Sequence, residues 1–129
     1  MKTKSLLVAA FLGLLAGPLA GQNAETLYQN ICDDGDMLGC DLLGQMYRDG
    51  VGVTQDLERA ASLFQRACDG LSMVSCSRLG VMYTSGAGVT ADVERGLDLF
   101  RMACDAGTAE GCDNYGVVVG MVRVALLGQ

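Results

Sequence analysis

Cys40-Asp41-Leu42-Leu43-Gly44-Gln45-Met46-Tyr47-Arg48-Asp49-Gly50-Val51-Gly52-Val53-Thr54-Gln55-Asp56, with Phe64 and Ala67-Cys68 behind it, decides the fold, because its pattern returns 36 residues later. Cys76, Gly80, Tyr83, Gly86, Gly88, Val89, Asp92, Phe100, Ala103 and Cys104 stand at the same offset, and Cys112 and Gly116 begin a third copy. Cys32 stands 36 residues before Cys68. A fixed period of this length marks a stack of supersecondary units, each burying its apolar face only against its neighbours.

Each unit reads as two helices. Asp36 is placed to cap the first, whose apolar positions Leu42, Leu43, Met46 and Tyr47 share one helical face. Gly50-Val51-Gly52 stops it, since glycine accepts the left-handed backbone of a helix end. Thr54 or Asp56 opens the second helix, with Leu57, Ala60, Ala61, Leu63, Phe64 and Ala67 again at three-four spacing. The pattern predicts six helices, at about 24–33, 36–48, 55–68, 72–84, 91–104 and from 108 onward, and no strand. Gly44, Gly80 and Gly116 fall inside helices, where glycine costs about 1 kcal/mol relative to alanine. Their recurrence predicts close approach of a neighbouring helix backbone.

Six cysteines in an exported chain predict three disulfides. Two pairings respect the repeat. One joins Cys32 to Cys40, Cys68 to Cys76 and Cys104 to Cys112, stapling each helix end to the next helix start. The other joins Cys40 to Cys68 and Cys76 to Cys104, and leaves Cys32 and Cys112 without partners. The first satisfies all six cysteines and is the expected one. Their spacing does not match the Cys-x-x-Cys of zinc sites, and no metal or other cofactor is expected.

The pattern Cys40-x-x-Leu43-Gly44-x-Met46-Tyr47-x-x-Gly50-x-Gly52-Val53-x-x-Asp56-x-x-x-Ala60-x-x-x-Phe64-x-x-Ala67-Cys68 resembles the Sel-one-like repeat, a relative of the tetratricopeptide repeat. Cysteine stands at Cys40 and Cys68, where ordinary members carry alanine. In this the chain resembles the Helicobacter cysteine-rich protein group, whose helices are stapled pair by pair. The likeness covers residues 25–119. It implies an all-α, right-handed α/α solenoid of helix-pair repeats, and a scaffold or adaptor role in protein complexes. Some cysteine-rich relatives are described as binding or slowly hydrolysing β-lactams, so the resemblance also implies a β-lactam-binding protein or weak β-lactamase as an alternative. It transfers no catalytic residue.

The N-terminus has the layout of a secretory signal peptide: Lys2 and Lys4, an apolar run from Leu6 to Leu15, then Gly17-Pro18-Leu19-Ala20. The run is shorter than the about 20 residues that a membrane span needs. The organisation expected is a leader over 1–21, cut somewhere in 20–24, a solenoid over 22–119 and an apolar tail over 120–129. Export follows from that leader, and with the resemblance it implies a periplasmic or secreted protein of a bacterial envelope. Its removal takes both lysines and moves the net charge from −6 to −8. That balance argues against nucleic acid and anionic membrane surfaces as partners.

The chain has no histidine. A Ser-His-Asp triad and a Cys-His dyad are therefore excluded, as is a Ser-x-x-Lys pair once both lysines are gone. The loops Gly50-Val51-Gly52 and Gly86-Ala87-Gly88 lack the lysine and third glycine of phosphate loops. Asp33-Asp34-Gly35-Asp36 does not have the spacing of a calcium hand. A protein-binding face remains as the functional expectation. Positions on the first helix of each unit that vary between repeats and are expected to face outward are its candidates: Asp41, Gln45, Arg48, Ser77, Arg78, Val81, Asp113 and Asn114. The tail departs from the repeat, reading Val119-Gly120-Met121-Val122-Arg123-Val124-Ala125-Leu126-Leu127. It is expected to fold back over the last unit, the alternative being an apolar patch for a partner or a second copy.

Overall fold

A computed structural model describes residues 23–128, so the expected leader lies outside the described residues. Six helices follow in order: α1 (Ala24–Asp33), α2 (Met37–Asp49), α3 (Leu57–Asp69), α4 (Met73–Ser85), α5 (Val93–Asp105) and α6 (Ala109–Leu127). Each packs against its sequence neighbours, and α4 also touches α6. The architecture is an α/α solenoid: α2–α3 and α4–α5 are complete helix pairs. α1 is a second-type helix at one end and α6 a first-type helix at the other.

The caps explain the boundaries. Asp36 accepts from the Leu38 amide. Asp56 and Asp92 accept from the amides of Arg59 and Arg95, each at 3.0 Å, so Asp56 rather than Thr54 opens α3. Gly50 and Gly86 close α2 and α4 at φ of 67° and 70°. The turns between pairs use the same backbone region at Gly35, Leu71 and Gly107. Leu71 is the one residue among these that carries a side chain there.

The larger core cluster runs from α1 through α4. Cys32, Cys40, Leu43, Tyr47, Ala60, Phe64, Ala67, Leu79 and Met82 are buried together. The internal glycines receive a ring rather than a helix backbone: a Cβ on Gly44 would lie 2.8 Å from the Phe64 ring, and one on Gly80 2.7 Å from the Phe100 ring. Only at Gly80 does backbone also approach, with the Gly96 carbonyl at 3.1 Å. Gly116 has nothing within 4 Å. The aromatic at the next repeat step would belong to a further second-type helix, and the described residues hold none.

The three disulfides take the local pairing, Cys32–Cys40, Cys68–Cys76 and Cys104–Cys112, with Cα–Cα separations of 4.5, 4.6 and 4.4 Å. Each closes a short loop, worth about 2–3 kcal/mol by chain entropy. The first pair is fully buried and Cys76 likewise, whereas Cys112 is exposed.

The tail does not fold back. α6 runs without a break across residues 119 and 120 to Leu127, half again as long as α2 or α4. Its sequence supplies the reason. Where Gly50 and Gly86 turn left-handed, the repeat register places Val122, a β-branched residue that does not take that conformation. Among the described residues no helix is long and apolar enough to cross a membrane.

Candidate interaction surface

Two rows of helices line the solenoid. The first-type helices α2, α4 and α6 form one row, called the inner row, where Arg78 and shorter polar side chains bridge successive units. The second-type helices α1, α3 and α5 form the outer row, bridged by arginines. Arg59 donates to Gln29 and lies over the Tyr47 ring, 4.3 Å from its centroid. One repeat on, Arg95 donates to Gln65 and lies 4.5 Å over Tyr83. Arg66 reaches from α3 to Asp33 at 2.9 Å and, with Gln29, holds that carboxyl below its ordinary range. Asp33 and Asp36 of the acidic run are thus occupied by an ion pair and a helix cap.

Tyr47 also donates to Glu25 of α1. Burial first, and that hydrogen bond second, push its phenol above the ordinary value.

The inner row carries all eight candidate positions, and they divide. Asp41 is buried, not outward-facing as expected, and accepts three side chains. Arg78 reaches both carboxylate oxygens at 2.6 Å, Ser75 donates at 2.6 Å and Gln45 at 2.8 Å. Ser77 is fully buried and accepts from Asn114 at 3.3 Å. Asp41 to Arg78 and Ser77 to Asn114 are both steps of 37 residues, one more than the repeat. Such a step connects a residue to the next helix of the row. These groups fasten unit to unit, and the burial of Asp41 and Ser77 corrects the expectation that they meet a partner.

Arg48 is half-buried. It pairs with Asp49 at 2.8 Å, stacks 5.9 Å from the Phe64 ring centroid, and keeps the Asp49 carboxyl below its ordinary range. The Asp49 contact likewise holds the Arg48 guanidinium in its charged form.

Val81 and Asp113 remain open. Val81 is 45% exposed and Val117, one repeat further, 54%. With Met121, 65% exposed, they line an apolar groove of about 400 Å³ between α4, α5 and α6. Phe100 closes its floor, and Thr84, Ser85 and Asn114 edge it with polar groups. A second groove of about 350 Å³ lies on the other flank of α6, formed by Leu97, Val119, Val122, Arg123, Leu126 and Leu127. The inner row therefore changes character along its length: polar and internally satisfied at α2, apolar and open at α6.

Sequence reasoning missed Ser75, since its counterparts in register are Gly39 and Gly111 and it reads as an ordinary helix serine. The ladder itself had a signal, complementary residues at an offset of 37. Met121 was legible only as part of an irregular tail.

The Sel1 repeat model matches residues 38–70 and 74–108, just over half of the chain. Among solved structures, the chain is similar to Helicobacter pylori cysteine rich protein B, at 28% identity with a TM-score of 0.65, over 79% of this chain and 77% of that one. A protective antigen of uropathogenic Escherichia coli, described as displaying an SLR fold, matches at 30% identity and a TM-score of 0.63. That match covers 65% of this chain but 18% of the other. A Sel1 repeat protein from Oxalobacter formigenes shares the fold at 24% identity and a TM-score of 0.70, over 77% of this chain and 40% of that protein. No curated relative matches the sequence. The chain belongs to the Sel1 repeat family.

Proposed function

We propose that this protein is an exported helical-repeat scaffold of the bacterial envelope that binds a protein partner through the apolar end of its inner row. The observation that carries this is the groove of Val81, Val117 and Met121, where the ladder of inter-repeat polar contacts gives way to uncovered apolar side chains. A groove with an apolar floor and a few polar groups at its edge suits a peptide segment that anchors by apolar side chains. Three intramolecular disulfides support export, since they persist in oxidising compartments. The signal-like N-terminus supports it too.

The test is selection of peptides from a display library on the oxidised protein, repeated with Val81→Asp and Val117→Asp. Enriched peptides should carry apolar anchors and lose binding to both variants. Peptides that bind both variants as well as the parent would place the binding surface elsewhere. Failure to enrich any peptide would refute the reading for linear segments.

A further inference from the structure

We infer that the outer face of α6 is a docking site for α1 of a second copy of this chain, which continues the solenoid head to tail. This rests on the reading of α6 as an interacting helix but concerns a different face from the groove at Val81 and Val117. In the two complete pairs, the first-type helix presents a glycine to its second-type partner, Gly44 in α2 and Gly80 in α4, with Tyr47 and Tyr83 lying under that partner's arginines. The partner lays an aromatic ring on that glycine, Phe64 on Gly44 and Phe100 on Gly80. α6 keeps the glycine as Gly116, with Val119 at the register of the tyrosine, yet nothing lies within 4 Å of a Cβ on Gly116. A glycine in mid-helix with open space beside it costs stability, and within the described chain no contact offsets that cost.

The complementary vacancy is at the opposite end. α1 is a second-type helix, and its residues at the register of Leu63 and Phe64 are Leu27 and Tyr28. Leu63 is 8% exposed under α2, whereas Leu27 is 45% exposed and Tyr28 half-buried. Among the described residues, no first-type helix precedes α1, which packs against α2 on its other side. One end of the described solenoid carries an aromatic residue in the correct register, and the other carries the glycine that such a ring occupies. Seating α1 on α6 repeats a contact that the chain already makes twice. Such a contact joins unlike surfaces, and because it continues the solenoid's own step from one copy to the next it builds open chains rather than a closed pair. Both copies are acidic, so added salt screens their repulsion and favours association.

The experiment is sedimentation velocity of the oxidised protein, its N-terminus established by mass spectrometry, across concentration and salt. Two surface variants go with it: Gly116→Leu, which fills the slot, and Leu27→Glu, which spoils the opposite face. The parent should grow beyond a dimer as concentration and salt rise. Each variant alone should associate about tenfold or more weakly. Mixed together, the two should form a one-to-one pair that grows no further, because each supplies the intact face that the other lacks. Leu27→Glu associating as the parent does would mean that α6 pairs with α6 and would overturn the inference. A parent that stays monomeric throughout would overturn it as well, while peptide binding at Val81 and Val117 would still stand. Val81→Asp should leave self-association unchanged, which keeps the two failures distinct.

Discussion

α2 and α6 occupy equivalent positions in the first and third copies of one repeat, and they differ in what lies over them. α2 is covered by α3, so Leu43 and Tyr47 are buried and Gly44 holds the edge of the Phe64 ring. α6 has no helix beyond it among the described residues, so Gly116 and Val119 stand open and its apolar extension stays in solvent. The same local code therefore yields core in one place and surface in the other. Burial in a repeat stack is a property of neighbours as much as of sequence.

The largest expected contrast is at the ring. Phe64→Ala should cost about 3–5 kcal/mol in chemical denaturation, as a fully buried aromatic does. Val119→Ala, on the uncovered helix, should cost less than about 1 kcal/mol. Equal costs would mean that α6 is covered in solution.

Next comes the polar ladder. Removing Asp41 leaves Arg78 and Ser75 without their shared acceptor, and Asp41→Ala should cost about 3 kcal/mol. Asp113, its exposed counterpart two repeats on, should tolerate alanine within about 0.5 kcal/mol. Melting curves of both variants beside the parent check this pair.

The glycines should respond with opposite signs. Gly80→Ala drives a methyl into the Phe100 ring and the Gly96 carbonyl, at a cost of about 1–3 kcal/mol. Gly116→Ala meets nothing and should stabilise by up to about 1 kcal/mol through helix propensity. A loss of stability at Gly116 would show that its slot is filled.

The smallest effect is kinetic. Under limiting reductant, the exposed Cys104–Cys112 bond should open before the two bonds nearer the core, as read by alkylation and mass spectrometry.

Much of the fold was legible because the repeat states its own register. The cysteine columns identified the disulfides, Asp36, Asp56 and Asp92 marked helix starts, and Gly50 and Gly86 marked helix ends. What sequence could not give was occupancy. Nothing in the residue types of Asp41 and Ser77 distinguishes a group that greets a partner from one that grips the next repeat. That difference arises only when the inner-row helices are set side by side. The tail was misjudged for a related reason: its departure from the pattern was plain, but the lost glycine at Val122 lengthens the helix instead of turning it.

Hydrogen–deuterium exchange of the oxidised protein, compared between α2 and α6 at low and high protein concentration, tests most directly whether α6 is an uncovered copy of α2. The account predicts slow exchange throughout α2 at both concentrations, fast exchange in α6 from Gly116 to Leu127 when dilute, and protection there when concentrated. Protection of that stretch equal to α2 in dilute solution would contradict it.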